Sequence, residues 1–263
     1  MEIVILTNDS FYPRIIVNHL IKVYRKNIKA IFFSNPIGHE SLFRMFKKIL
    51  LTSGFRFLFL YSIEVIIGSL QYPSIKKLAK KYHIDYYKTD DINKESVLLK
   101  RIGPDLIVSV SFLQILKRNI IDIPKKGCIN LHGALLPKYK GRAVYFWMLL
   151  NEEKKIGSTI HFMNEDIDSG DIILQNECPI TPDDTIRSIS LKTVGLGIEL
   201  IVQAIDIIGK GDFRAIKQNE ADSLYTTFPS KSDVKLFLRR GKRFFRFNEL
   251  IMTDKEKLCL KSE

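Results

Sequence analysis

Short, almost uninterrupted apolar runs recur along this chain, and segments with helical spacing separate them. "EIVILTN" (2–8), "IKAIFFS" (28–34) and "PDLIVSVSF" (104–112) carry apolar side chains on successive residues, not only on alternate ones. A strand of that kind needs cover on both of its faces. Between them, "PRIIVNHLIKVYRK" (13–26), "SIKKLAKKYHI" (74–84) and "KESVLLKRI" (94–102) repeat apolar residues at helical intervals. "DYYKTD" (85–90) reads as a further short strand. This alternation predicts an α/β fold: a Rossmann-like, mostly parallel sheet with helices on both faces. "GSTIHFM" (157–163) and "DIILQNECPI" (171–180) add later strands that an antiparallel direction also suits. Residues 183–211 open on Asp-Asp-Thr and close on Gly, the signals of a long capped helix. In sheets of this class, ligands sit at the carboxyl ends of the strands.

The expected organisation is one catalytic domain over residues 1–211, followed by a linker-like basic tail, 212–263. About fifty residues are too few for a sizeable core of their own, so the tail is expected to pack on the main domain. Residues 37–70 form no clean strand–helix unit and read as an insertion. Its stretch 57–70 is very apolar, but Arg56 and Glu64 leave runs shorter than the ~20 residues that span a bilayer. No transmembrane span is therefore expected.

A formal net charge of +12 favours anionic partners. A nucleic-acid-binding protein without catalysis is one reading, helped by "LRRGKRFFRF" (238–247). The alternative for that stretch, which we prefer, is a solvated charged face pinned by its Phe residues. Cys128, Cys178 and Cys259 lie too far apart for a zinc or disulfide framework. Met1 is followed by an acidic residue and a strand, unlike a signal peptide, so a cytoplasmic setting is expected. No Gly-x-Gly-x-x-Gly follows the first strand, which sets a Rossmann dehydrogenase aside.

The polar residues that stand out are Asn130 and His132 in "CINLHGALLPKYKGR" (128–142). Two apart on a strand, they project to one face while Leu131 points away. Gly133 lets the chain leave the strand and Pro137 fixes the turn beyond. A second cluster, Glu165, Asp166, Asp168 and Asp171, lies in "NEDIDSGDIILQ" (164–175). Such a cluster reads either as a solvated acidic turn or as the source of a carboxylate that orients His132. Spacing alone does not choose which carboxylate.

Together, "GCINLHGALLPKYKGR" and "GSTIHFMNEDIDSGDIILQ" resemble the signature of the folate-dependent formyltransferases: Asn-x-His, then Leu-Leu-Pro, then Asp-x-Gly. That family includes enzymes acting on methionyl-tRNA, glycinamide ribonucleotide and amino sugars. The resemblance covers roughly residues 74–180 and implies 10-formyltetrahydrofolate as formyl donor, with no metal. It implies catalytic roles for Asn130, His132 and Asp168, but not for Asp166 or Asp171. It assigns the pterin to the loop Ser111, Phe112, Leu113, Gln114, Ile115 and Leu116, and to Asn164, Glu165, Asp166 and Ile167. Thr159 falls where one branch carries a Ser hydroxyl near the site. Many members read His-Pro-Ser where this chain has His-Gly-Ala (132–134). That departure implies a looser turn and bears on the acceptor.

The chemistry so implied is attack of an amine on the formyl carbon, with Asn130 and charged His132 donating hydrogen bonds to the developing oxyanion. A proton then passes through His132, or a water held by Asp168, to the leaving nitrogen. The expected acceptor is a small primary amine, an amino-sugar nucleotide before all others, with initiator methionyl-tRNA as the alternative. "SLYTTFPSKSDVKLF" resembles the linker that precedes a barrel domain in the tRNA enzymes, but too few residues follow it here for a barrel.

Overall fold

The computed structural model describes residues 1–34 and 42–251. Its centre is a seven-stranded sheet, built from β1 (Ile3–Asn8), β2 (Ile28–Ser34), β3 (Asp85–Lys88), β4 (Leu106–Val110), β5 (Cys128–His132), β7 (Lys155–Phe162) and β8 (Ile172–Pro179). The spatial order is β3-β2-β1-β4-β5-β7-β8. The first five strands in that order are parallel; β7 runs antiparallel to β5, and β8 antiparallel to β7. The strand order reverses between β1 and β4, which opens a crevice beyond their carboxyl ends. A separate two-residue pairing joins β6 (Lys140–Gly141) to β9 (Tyr225–Thr226).

Helices cover both faces, as the continuous apolar strands require. On one face lie α1 (Phe11–Tyr24), α3 (Ile75–Tyr82) and α7 (Ile186–Lys210), packed on Ile3, Ile5, Val108 and Leu131. The α7 helix starts with a reciprocal capping box between Thr185 and Ser188 and stops at Gly211, whose φ of 76° ends the helical run. On the other face Val4, Leu6, Phe32 and Ile107 pack beneath α4 (Ser96–Ile102) and α5 (Arg118–Ile121).

The segment read as an insertion is α2 (Leu42–Gln71), two helical halves broken at Gly54 (φ 84°, ψ 169°); residues 37–41 of that reading lie outside the described residues. By length and composition alone, the stretch beginning at Phe46 is apolar enough to cross a membrane (mean hydropathy 1.6). Glu64 turns inward and is buried against Tyr12 of α1, whose hydroxyl donates to it. Arg187 of α7, fully buried, donates to Gln71 at 2.9 Å and rests on the Phe11 ring.

The tail after α7 packs back. Phe237 of α8 (Lys231–Arg239) and Phe244 are buried with Phe146 of α6 (Val144–Leu150) and Phe57 of α2. Beyond them α9 (Phe247–Ile251) presents its Leu250 carbonyl to Gln71. The basic stretch 238–247 is thus pinned by aromatic side chains, and its Arg240 donates to the Leu150 carbonyl at 2.7 Å.

Candidate active site

The parallel and antiparallel registers line up one polar residue from each of three adjacent strands. Ser109 of β4 is paired with Asn130 of β5, and Asn130 with His161 of β7. Cross-strand partners share a face, so the three side chains form a row. The Ser109 hydroxyl donates to Asn130 Oδ1 at 2.8 Å, and Asn130 Nδ2 lies 3.1 Å from His161 Nε2. The other imidazole nitrogen, Nδ1, donates to the Phe162 carbonyl at 2.7 Å. A carbonyl only accepts, so Nδ1 carries the proton and Nε2 is left as an acceptor. The amide of Asn130 is therefore oriented from both ends. Burial holds the His161 pKa down, to about 4, against a smaller opposing pull from Asp168.

His132 stands two residues on, on the same face. Its Nε2 donates to the Tyr139 carbonyl at 2.8 Å, and its Nδ1 lies 3.5 Å from Asp168 Oδ2. Both nitrogens are thus engaged within the protein, and neither N–H is aimed at the cavity as the sequence reading had it. The free donor is instead the second N–H of Asn130, which reaches only Asp168 Oδ1, at 3.5 Å.

Among the four acidic residues of the 164–175 segment, Asp168 alone faces this row. Its φ of 50° turns the carboxylate inward, where Oδ2 accepts from Gly141 N at 3.0 Å and Oδ1 lies 3.7 Å from His161. Glu165 and Asp166 are exposed, Glu165 beside Arg118. The loop that presents Asp168 is tightly built. Asn164 Oδ1 accepts from Asp166 N and the Ser169 hydroxyl, and Gln218 Nε2 donates to the carbonyls of Asp168 and Gly170.

These residues open onto a cavity of about 400 Å³, lined by the loop 111–116, Asn130, His132, Arg142, Tyr145, His161 and the segment around Asp168. Its floor alternates. Phe112 and Leu116 point into the core, and the buried Gln114 accepts from Ile92 N; these three offer backbone to the cavity. Ser111, Leu113 and Ile115 present side chains, with Ile167 exposed opposite. Apolar side chains flanked by backbone polar groups suit a flat heteroaromatic ring, so the residues present fit a pterin. Among the described residues, no group of three or more His, Cys, Asp or Glu is arranged to hold a metal ion.

Two expectations change. Thr159 does not line the cavity. It is fully buried, its hydroxyl donating to the Ala134 carbonyl at 2.6 Å and accepting from Leu136 N and Gln175 Nε2. Nor is the His-Gly-Ala turn loose: Thr159 and Gln175 clamp it, and Gln175 also donates to the Leu136 carbonyl. Gly133 lets Tyr145 approach: a Cβ would stand 2.2 Å from the Tyr145 hydroxyl, so any larger residue needs that side chain to move.

Sequence reasoning missed His161, although "GSTIHFM" sets it two residues from Thr159 on a strand next to Asn130. It also missed the support that residues beyond 211 give to the segments carrying Gly141 and Asp168. Glu220 takes two hydrogen bonds from the buried Lys140 ammonium, which also lies over the Tyr225 ring at 5.3 Å. No local pattern marks these residues; they reach the site through the β6–β9 pairing.

Residues 73–205 match the family described as Formyl transferase. The chain is 36% identical over 170 residues to the methionyl-tRNA formyltransferase of Clostridium acetobutylicum, covering 64% of this chain and 55% of that protein. With the enzyme of that name from Geobacter sulfurreducens it shares 37% over 163 residues, 61% and 51% of the two chains. The chain thus spans about half the length of the curated relatives it matches. Among solved structures, an N-formyltransferase from Helicobacter canadensis, described in complex with folinic acid and dTDP-3-aminofucose, superposes with a TM-score of 0.63 at 22% identity, over 95% of this chain and 82% of that one. A phosphoribosylglycinamide formyltransferase from Anaplasma phagocytophilum gives 0.60 at 19% identity, over 85% and 96%.

Proposed function

The chain belongs to the formyl transferase family, and from that premise we propose that it moves the formyl group of 10-formyltetrahydrofolate to the primary amine of a small acceptor in the cytoplasm. The observation that carries this reading is the convergence of Asn130, His132 and Asp168 on one cavity beside an apolar, backbone-rich cradle. The folate, when bound, supplies an activated formyl carbon; the loop 111–116 and residues 164–167 would hold its pterin. The spare N–H of Asn130 donates to the formyl oxygen as negative charge builds on it. Its amide is already held by Ser109 and His161, so little reorganisation is needed at that moment. With the acceptor replacing the Tyr139 carbonyl at Nε2 and that nitrogen unprotonated, His132 takes the amine's proton there and passes it to N10 of the folate as the bond from N10 to the formyl carbon breaks and tetrahydrofolate leaves. Asp168 stabilises the resulting imidazolium through Nδ1.

For the acceptor, an amino-sugar nucleotide is the leading reading. Arg142 is an exposed cation at the cavity, placed to meet a phosphate. The Helicobacter canadensis protein, described with folinic acid and dTDP-3-aminofucose, has the same fold and so provides a precedent for that ligand pair. Initiator methionyl-tRNA is the second reading. It is favoured by the names of the curated relatives and by the charge of +12.

The decisive experiment gives the purified chain and 10-formyltetrahydrofolate a panel of amino-sugar nucleotides, glycinamide ribonucleotide and charged initiator tRNA. Tetrahydrofolate release is expected with one or more amino-sugar nucleotides. Release with charged tRNA alone, falling steeply with salt, overturns the leading acceptor. No release with any member overturns the reading as a whole.

A further inference from the structure

The second half of α2 has two unlike faces. Phe57, Glu64 and Gly68 are buried: Phe57 among Phe146, Phe228 and Phe244, and Gly68 so close to Phe11 that a Cβ would stand 2.8 Å from it. Phe55, Phe59, Ile66 and Leu70 follow one another at four, seven and four residues and form a stripe on the opposite side. They are 71, 53, 58 and 82% exposed, with the Phe55 and Phe59 rings stacked at 6.0 Å. Helices that are apolar on their outer face carry a solvation penalty unless something covers them.

Basic side chains border the start of this stripe. Ser53 donates to the Pro229 carbonyl at 2.6 Å, which docks the start of α8 at the Gly54 break, and the Lys231 side chain lies against Gly54. Lys235 and Arg239 follow on α8 at four-residue intervals, all exposed, and Arg56 is exposed on α2 itself. From this juxtaposition of an outward apolar stripe and a basic border, we propose that α2 and α8 form a docking surface for an anionic phospholipid bilayer. The helix lies in the interface plane with its stripe in the acyl boundary. A spanning orientation would strip the protein contacts from Phe57, Glu64 and Gly68. A second copy of the chain is the poorer occupant. A two-fold contact through the stripe would bring two basic borders together on protomers that each carry +12. An anionic surface takes both features at once.

Flotation of the full chain with vesicles tests this. One set is phosphatidylcholine alone; the other is an equal mixture of phosphatidylcholine and phosphatidylglycerol. The chain is expected to float with the mixed vesicles at low salt, to lose binding as salt rises, and to bind neutral vesicles at least roughly tenfold more weakly. The double variant Phe59→Glu/Leu70→Glu should weaken partition by at least about tenfold while melting close to the parent, since both side chains are more than half exposed and lie outside the core. Lys231→Glu/Lys235→Glu should weaken binding to the mixed vesicles alone. Failure to float with mixed vesicles, or equal partition of parent and stripe variant, overturns the proposal. So does a dimer in sedimentation velocity that the stripe variant dissociates, which would assign the stripe to a second copy.

Discussion

Asn130 Nδ2 lies 3.1 Å from His161 Nε2, and the two residues are direct cross-strand partners. Because His161 spends its own proton on the Phe162 carbonyl, it can only accept from Asn130. In the proposed reaction His161 is therefore a positioning residue for the amide, while Asn130 is the donor that would meet the reacting oxygen. Replacing Asn130 by Ala is expected to lower kcat about 100- to 1000-fold, the usual cost of one oxyanion donor. His161→Leu should cost about tenfold, the worth of one orienting hydrogen bond. A double-mutant cycle in single-turnover formyl transfer separates the roles. In the Asn130→Ala background, His161→Leu should have almost no further effect, and an additive loss would show that His161 acts on its own.

The same histidine sets an acid limit on stability. Its pKa is lowered by burial from 6.5 to about 4 in the folded chain. Below 6.5 the unfolded chain therefore binds a proton that the folded chain refuses. The stabilising effect is complete above about 6.5 and is lost as pH falls through about 4, on the order of 3 kcal/mol across that window. Urea unfolding of the parent should show this slope between the two values, and His161→Gln should flatten it. An unchanged slope in the variant would assign the acid sensitivity to other groups.

The strands and the long helix were legible because their signals are local. "IKAIFFS" forms β2 over Ile28–Ser34, and Asp-Asp-Thr with a terminal Gly brackets α7. Asn130 and His132 were legible as a same-face pair, and the resemblance selected Asp168 where spacing did not. What remained hidden depends on register and on distant chain. Whether Ser109 and His161 flank Asn130 is decided by how three strands slide against one another. Gln218 and Glu220 reach the site only because the segment after α7 folds back over it. The two halves of α2 were obscured because the helix is apolar on both faces, so no periodic contrast marks it. Its glutamate, read as an interruption, is instead a buried partner of Tyr12.

Gly170 is a further point at which backbone geometry holds the Asp168 carboxylate. A Cβ there would stand 1.9 Å from the Phe162 carbonyl oxygen and 2.7 Å from its carbon, both backbone atoms of β7 that cannot turn aside. Gly170→Ala must shift the loop, and with it the two carbonyls that Gln218 holds. A destabilisation of about 1–3 kcal/mol is expected from the forced displacement. Activity should fall further than stability, since Asp168 moves relative to His132. Urea unfolding and kcat measured on the same preparation check this; a loss of stability with full kcat would mean that the loop relaxes without moving the carboxylate.

In the proposed reaction Arg142 bears on the acceptor and not on the transfer step. It follows Gly141, whose amide is bonded to Asp168, and its backbone N donates to the Thr226 carbonyl at 3.0 Å, so its position is fixed while its guanidinium stays exposed at the cavity. Removing a cation that binds ground state and transition state alike raises KM and leaves kcat. Arg142→Ala is therefore expected to raise KM for a phosphate-bearing acceptor roughly tenfold, with kcat and the KM for the folate donor nearly unchanged. Arg142→Lys should recover only part of the loss, because a point charge replaces a fork that grips two oxygens. Steady-state kinetics with the acceptor chosen by the panel decide it. A fall in kcat at constant KM would move Arg142 from acceptor binding into the chemical step.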